Sequence, residues 1–135
     1  MEANQRSHVV VVEDDINDAI LLRHQLTKAE IDDYVVFKSN GKEALDFMLQ
    51  EPVPPLAIFL DLHLPGMSGV DLFKRVRQEP RLKAVPVIVM TGFNDPHDTE
   101  ACRKLGATAF LRKPIQLATF ISTVAHLFPA KIRAD

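Results

Sequence analysis

Short apolar runs alternate with longer amphipathic stretches along the whole chain, and the two periods predict different elements. The runs His8 to Val12, Tyr34 to Lys38, Leu56 to Leu60, Val85 to Met90 and Ala109 to Leu111 predict strands. Four of them are nearly continuous in apolar or β-branched residues, as strands covered on both faces by helices must be. Between the runs, apolar residues recur at helical spacing: Ala19, Leu22, Leu26 and Ala29, then Ala44, Leu45 and Met48, then Val70, Phe73 and Val76. Leu117, Phe120, Ile121, Val124 and Phe128 form a last stripe. Pro96 to Leu105 reads as a helix on Ala101, Cys102 and Leu105 alone, with Gly106 as its stop. Five strand-helix units in this order predict an α/β fold, a doubly wound parallel sheet. The proline-stiffened segment from Glu51 to Pro55 is short enough to be a connection inside one domain. Only seven residues follow Phe128, so the expectation is a single domain over 1–135, with its core at 8–128 and a tail at 129–135.

Composition narrows the function classes. With 135 residues, 47% hydrophobic and 25% charged, the chain matches an average globular domain and gives no footing to disordered, collagen-like or disulfide-scaffold readings. No apolar run approaches the ~18 residues of a membrane span, and the opening residues lack a signal-peptide core, so the expected location is the cytoplasm, with no membrane partner. The single cysteine, Cys102, cannot form an internal disulfide and reads as a small packed residue. The net charge of -2 hides an asymmetry, because residues 1–66 hold 5 Lys or Arg against 12 Asp or Glu while residues 101–135 hold 6 against 1. The C-terminal cations are scattered, with no basic arm and little interleaved aromatic surface, so a nucleic-acid partner is not expected.

In open α/β sheets ligands bind beyond the carboxyl ends of the strands, and here those ends carry unusual chemistry. Glu13, Asp14 and Asp15 follow the first strand, Asp61 the third, Thr91 and Gly92 the fourth, and Lys113 and Pro114 the fifth. Each alone is ordinary, since acids precede helices and an isolated lysine is solvated. Together they suit phosphoryl transfer to a carboxylate beside a hard dication, because Mg²⁺ takes one or two carboxylates, waters and phosphate oxygens. Glu13, Asp14 and Asp61 would supply the partial cage, while Thr91 and Lys113 would hold the remaining phosphoryl oxygens.

The segments Val-Val-Val-Glu-Asp-Asp (10–15), Ile-Phe-Leu-Asp-Leu-His-Leu-Pro-Gly-Met-Ser-Gly (58–69), Val-Ile-Val-Met-Thr-Gly (87–92) and Phe-Leu-Arg-Lys-Pro (110–114) resemble the receiver domain of two-component response regulators over residues 8 to about 128. The resemblance implies a flavodoxin-like (βα)5 fold with strand order 2-1-3-4-5. It implies that Asp61 is phosphorylated by a partner histidine kinase or phosphotransfer protein. Mg²⁺, with Mn²⁺ as a substitute, would be held by Glu13, Asp14, Asp61 and the backbone carbonyl of His63. Lys113 would pair with the phosphoryl group, Thr91 would bond it and shift, and Phe110 would be the aromatic that rotates inward when Thr91 moves. Lys113-Pro114 would be a cis peptide. His63 and Phe93 fall where the family tunes loss of the phosphoryl group, and both are bulky; the His63 side chain is expected at the surface, since hard Mg²⁺ prefers oxygen. Output would pass through protein contacts or onward phosphotransfer, with a homodimer through the helix 4, strand 5, helix 5 face as one form. The opening motif, the long connection before strand 3 and the short chain resemble the single-domain regulators that partner bacterial phytochromes.

Three other classes compete. A flavodoxin-like redox or nucleotide-binding protein would need a Gly/Ser/Thr-rich phosphate loop after the first strand, where Glu13, Asp14 and Asp15 would repel phosphate. An aspartyl phosphatase would place Asp-x-Asp after the first strand and carry a cap domain. A receiver reduced to docking alone would not keep Asp61, Thr91 and Lys113 together.

Overall fold

The computed structural model describes residues 7–92 and 96–125, apart from the side chain of Val124. Its strands are β1 (Val9–Val12), β2 (Val35–Lys38), β3 (Ala57–Asp61), β4 (Val87–Thr91) and β5 (Ala109–Arg112); the helices are α1 (Ile16–Lys28), α2 (Gly41–Gln50), α3 (Gly69–Gln78), α4 (Pro96–Lys104) and α5 (Leu117–Val124). The strands form one parallel sheet in the order β2-β1-β3-β4-β5, as expected.

The pleat sorts each strand's side chains into two cores. Val10, Val12, Ile58, Leu60, Val87 and Val89 face Leu45, Met48, Leu72, Phe73 and Cys102 from α2, α3 and α4. The alternate residues Val9, Val11, Ala57, Phe59, Ile88 and Met90 face Leu22, Leu26 and Phe120 from α1 and α5. Phe59 and Phe120 stack at 4.5 Å between ring centroids, fixing α5 against the sheet centre. β1 and β3 are buried throughout, whereas the edge strands are only partly covered.

Among the described residues, Asp15, Asn40 and Ser68 cap the starts of α1, α2 and α3, each side chain accepting from the backbone N–H three residues on. α4 stops at Gly106, whose φ of +87° is the left-handed conformation suited to glycine. The α1 stripe departs from expectation at Ala29, which is the exposed C-cap residue, and Glu30 turns the chain at φ 61° into a 3-10 turn over Asp32–Tyr34. Tyr34 therefore lies outside β2. α3 buries Leu72 besides the predicted Phe73 and Val76, because its neighbours α2 and α4 cover a wider face. Phe128 and the tail at 129–135 lie outside the described residues.

Candidate functional site

Strand register brings the acidic residues together. Val12 of β1 pairs with Leu60 of β3, so the next residues, Glu13 and Asp61, emerge side by side at the carboxyl edge of the sheet. Asp61 pairs with Met90, and Thr91 pairs with Arg112, which puts Lys113 one residue past β5 on the same edge. Two close approaches shape the loop after β3. Gly69 N–H donates to the Leu62 carbonyl at 3.1 Å, and a Cβ at Gly69 would lie 2.5 Å from the Asp61 carbonyl oxygen, so the start of α3 reaches this strand end only as glycine. The Lys113-Pro114 peptide is cis.

Lys113 is the hub of the resulting cluster. Its ammonium lies 2.9 Å from Glu13 Oε1, 3.0 Å from Asp61 Oδ2 and 3.2 Å from Asp18 Oδ2. Glu13 Oε2 also accepts the Asp15 N–H, and Asp61 Oδ1 accepts the His63 N–H at 2.9 Å. Glu13 and Asp61 are 6% and 2% exposed, the only buried charged residues among those described, and their burial is what makes the lysine necessary. The group still carries more negative than positive charge. Burial, then the hydrogen-bonded neighbour Asp61, push the Glu13 carboxyl up to about 7 against the pull of Lys113 and the Asp15 N–H. Burial disfavours the Lys113 ammonium, but hydrogen bonds to Glu13 and Asp61 outweigh it and hold its pKa above the usual range.

Asp14 is exposed beside this pair, and one oxygen each of Glu13, Asp14 and Asp61 lie within 4.8 Å of one another. The cleft above them, about 420 Å³ and open to solvent, is lined by Asp14, Asp15, Asp18, Asp61, His63, Gly92, Lys113 and Pro114. The donor set fits a hard dication: it is all oxygen, too sparse to close a full shell, and open on the side from which waters and phosphate oxygens would complete it. A dication would also relieve the excess negative charge, since two carboxylates ~5 Å apart repel by roughly 3 kcal/mol at an effective dielectric near 20.

A family model for the response regulator receiver domain matches residues 9–125. The chain belongs to the receiver-domain family of response regulators. The sensory/regulatory protein RpfC of Xanthomonas campestris pv. campestris is 37% identical over 129 residues, covering 93% of this chain but only 17% of RpfC. The polar-differentiation response regulator DivK of Brucella anthropi is 35% identical over 117 residues, 86% of this chain and 91% of DivK. The solved bacteriophytochrome response regulator RtBRR superposes with a TM-score of 0.78 at 28% identity, covering 92% of this chain and 80% of that one. Receivers are the phosphoacceptors of two-component signalling and bind a divalent cation at an acidic cluster of this kind.

In this receiver, five of the residues singled out from sequence, Glu13, Asp14, Asp61, His63 and Lys113, converge on one cleft. His63 is exposed, the surface position expected of it. Thr91 is half-buried at the end of β4, and its carbonyl accepts the Lys113 N–H at 3.0 Å. Phe110 is 36% exposed, with the Arg103 guanidinium 5.7 Å from its ring centroid, so it stands outward. Phe93 lies outside the described residues. Sequence reasoning missed Asp18. It occupies the first turn of α1, five residues beyond Glu13, and its contact with Lys113 spans 95 positions that no local pattern connects.

Proposed function

We propose that this chain is a single-domain response regulator over residues 1–135, in which Asp61 accepts a phosphoryl group from a sensor histidine kinase or a phosphotransfer protein. The observation that carries the reading is the convergence of the Glu13, Asp14 and Asp61 carboxylates on one open cleft, with the Lys113 ammonium 3.0 Å from Asp61. In the transfer, the bond from phosphorus to the donor imidazole breaks as a bond from phosphorus to an Asp61 carboxylate oxygen forms. The electron pair returns to the imidazole, which takes up a proton. Mg²⁺ or Mn²⁺, held by Glu13, Asp14, Asp61 and the His63 carbonyl, would supply positive charge to the transferred oxygens. Lys113 and Thr91 bond those oxygens, and the Asp61 carboxylate, fixed by the His63 N–H and Lys113, is presented without rearrangement.

The kinship to RtBRR supports a phytochrome-type kinase as donor. Ile16, Ile20 and Leu21, exposed by 70%, 59% and 48% on α1 next to the cleft, suit docking of a protein rather than a small donor alone. Output runs through the α4-β5-α5 face, where Thr91 and Phe110 switch together, and a homodimer through that face is one form it takes. The protein is cytoplasmic and returns to its starting state by hydrolysing its own phosphoryl group, with His63, which lines the cleft, bordering the path of the attacking water. Incubation with acetyl phosphate and Mg²⁺ tests the reading. Intact mass should show one added phosphoryl group, removable by hydroxylamine as an acyl phosphate is and absent when EDTA replaces Mg²⁺. Labelling that survives hydroxylamine or ignores EDTA would overturn it.

A further inference from the structure

We propose that Asp18 is a positioning residue that holds the Lys113 ammonium against α1 in the unmodified protein and must release it when a phosphoryl group enters; this rests on the reading of Asp61 as phosphoacceptor. An ammonium carries three N–H donors and no acceptor. Three carboxylates surround that of Lys113, Glu13 and Asp61 at 2.9 and 3.0 Å and Asp18 at 3.2 Å. Hydrogen bonds to Glu13 and Asp61 take two of the donors, and Asp18 is ion-paired against the remaining side of the ammonium, so a further anionic oxygen reaches it by displacing a carboxylate already in contact.

Burial decides which contact goes. Glu13 and Asp61 are buried, and either one left without the lysine would be an uncompensated interior charge. The Asp18 side chain is 35% exposed, makes the longest of the three contacts and comes from a helix rather than from a strand end, so water replaces the lysine there at least cost. Asp18 also lines the cleft beside Asp61, so its charge repels an arriving anion as well as competing for the cation that would hold it. Its backbone N–H is tied to the Asp15 side chain, the N-cap of α1, so release alters the first turn of the helix that carries the exposed Ile16 and Ile20.

The test measures labelling by acetyl phosphate with Mg²⁺, by intact mass against donor concentration, for the parent, Asp18→Asn, Asp18→Glu and Asp61→Asn. Removing the charge should lower the half-saturating donor concentration about twofold to fivefold, the range of one partly exposed ion pair. Asp18→Glu keeps the charge and the reach, and should restore the parent's value. A residue that only supports the fold would lower stability and leave that concentration unchanged. If the parent is labelled at Asp61 and Asp18→Asn needs as much donor as the parent, or more, the proposal is overturned while the phosphoacceptor reading stands. If the parent takes no label, or Asp61→Asn is labelled as well as the parent, both fall.

Discussion

Replacing Lys113 by methionine removes a cation shared by three carboxylates while keeping most of the side chain's length. At a separation near 3 Å and an effective dielectric near 20, each of the contacts to Glu13 and Asp61 carries about 5 to 6 kcal/mol of attraction, most of it offset by the desolvation of the ions. The measured loss should be nearer the 3 to 5 kcal/mol typical when one partner of a buried pair is removed. For a chain of this length about 3 kcal/mol corresponds to a fall in melting temperature of roughly 9 to 15 °C. Protonation of Glu13 limits the damage. Its pKa is about 7 with Lys113 in place, so in the native metal-free protein it holds a proton that the unfolded chain, near 4.5, has lost. Metal-free stability therefore falls as pH rises from about 4.5 through 7. Without the ammonium that lowers it, the Glu13 pKa climbs further, the variant keeps losing stability above pH 7, and the gap from the parent widens by up to about 1.4 kcal/mol per pH unit there. The assay is thermal unfolding in EDTA at pH 6 and pH 8, then with Mg²⁺. The variant should melt lower, the difference should be larger at pH 8, and Mg²⁺ should raise its melting temperature more than the parent's, since the dication no longer shares its carboxylates with an ammonium. A variant as stable as the parent at pH 8 in EDTA, with the same response to Mg²⁺, would refute the assignment of Lys113 as the balancing charge.

Mg²⁺ affinity in the parent should weaken as pH falls below about 7, because Glu13 must give up its proton to bind the ion; titration calorimetry at pH 6 and 8 reads this directly, and equal affinities would contradict it. Gly69→Ala should destabilise by about 2 to 3 kcal/mol, since its Cβ would meet backbone at 2.5 and 2.6 Å, and should slow labelling of Asp61 by shifting the loop after β3; denaturant unfolding and the labelling assay check both. Arg77→Met should cost about 2 to 4 kcal/mol in the same unfolding assay, because the guanidinium donates to the carbonyls of Lys83, Val85, Leu105 and Gly106 and ties the end of α4 to the start of β4.

Much of this architecture is written locally. β1, β3 and β4 are apolar until their last residue and then turn abruptly to Glu13, Asp61 and Thr91, so one sequence feature marks both the strand end and the site. Parallel pairing then brings those ends to one edge, which is why strand order and the Glu13, Asp61 and Lys113 cluster follow from pattern and resemblance together. What stayed hidden depends on distant packing. The Asp18 contact with Lys113 reads locally as an acid in the first turn of a helix. The four carbonyls held by Arg77 come from two loops, and nothing around position 77 sets it apart from Arg75, which makes an ordinary helix-surface pair with Glu79. Ala29 fits the apolar stripe of α1 but falls at the C-cap, where the left-handed Glu30 turns the chain away.

The most direct test of the account is chemical mapping of the modified side chain. After labelling with acetyl phosphate and Mg²⁺, borohydride reduces an aspartyl phosphate to homoserine, which peptide mass spectrometry locates in the chain. The account predicts homoserine at position 61 and at no other acidic residue, with none formed in Asp61→Asn. Homoserine at Asp14 or Asp18, or undiminished labelling of Asp61→Asn, would contradict it.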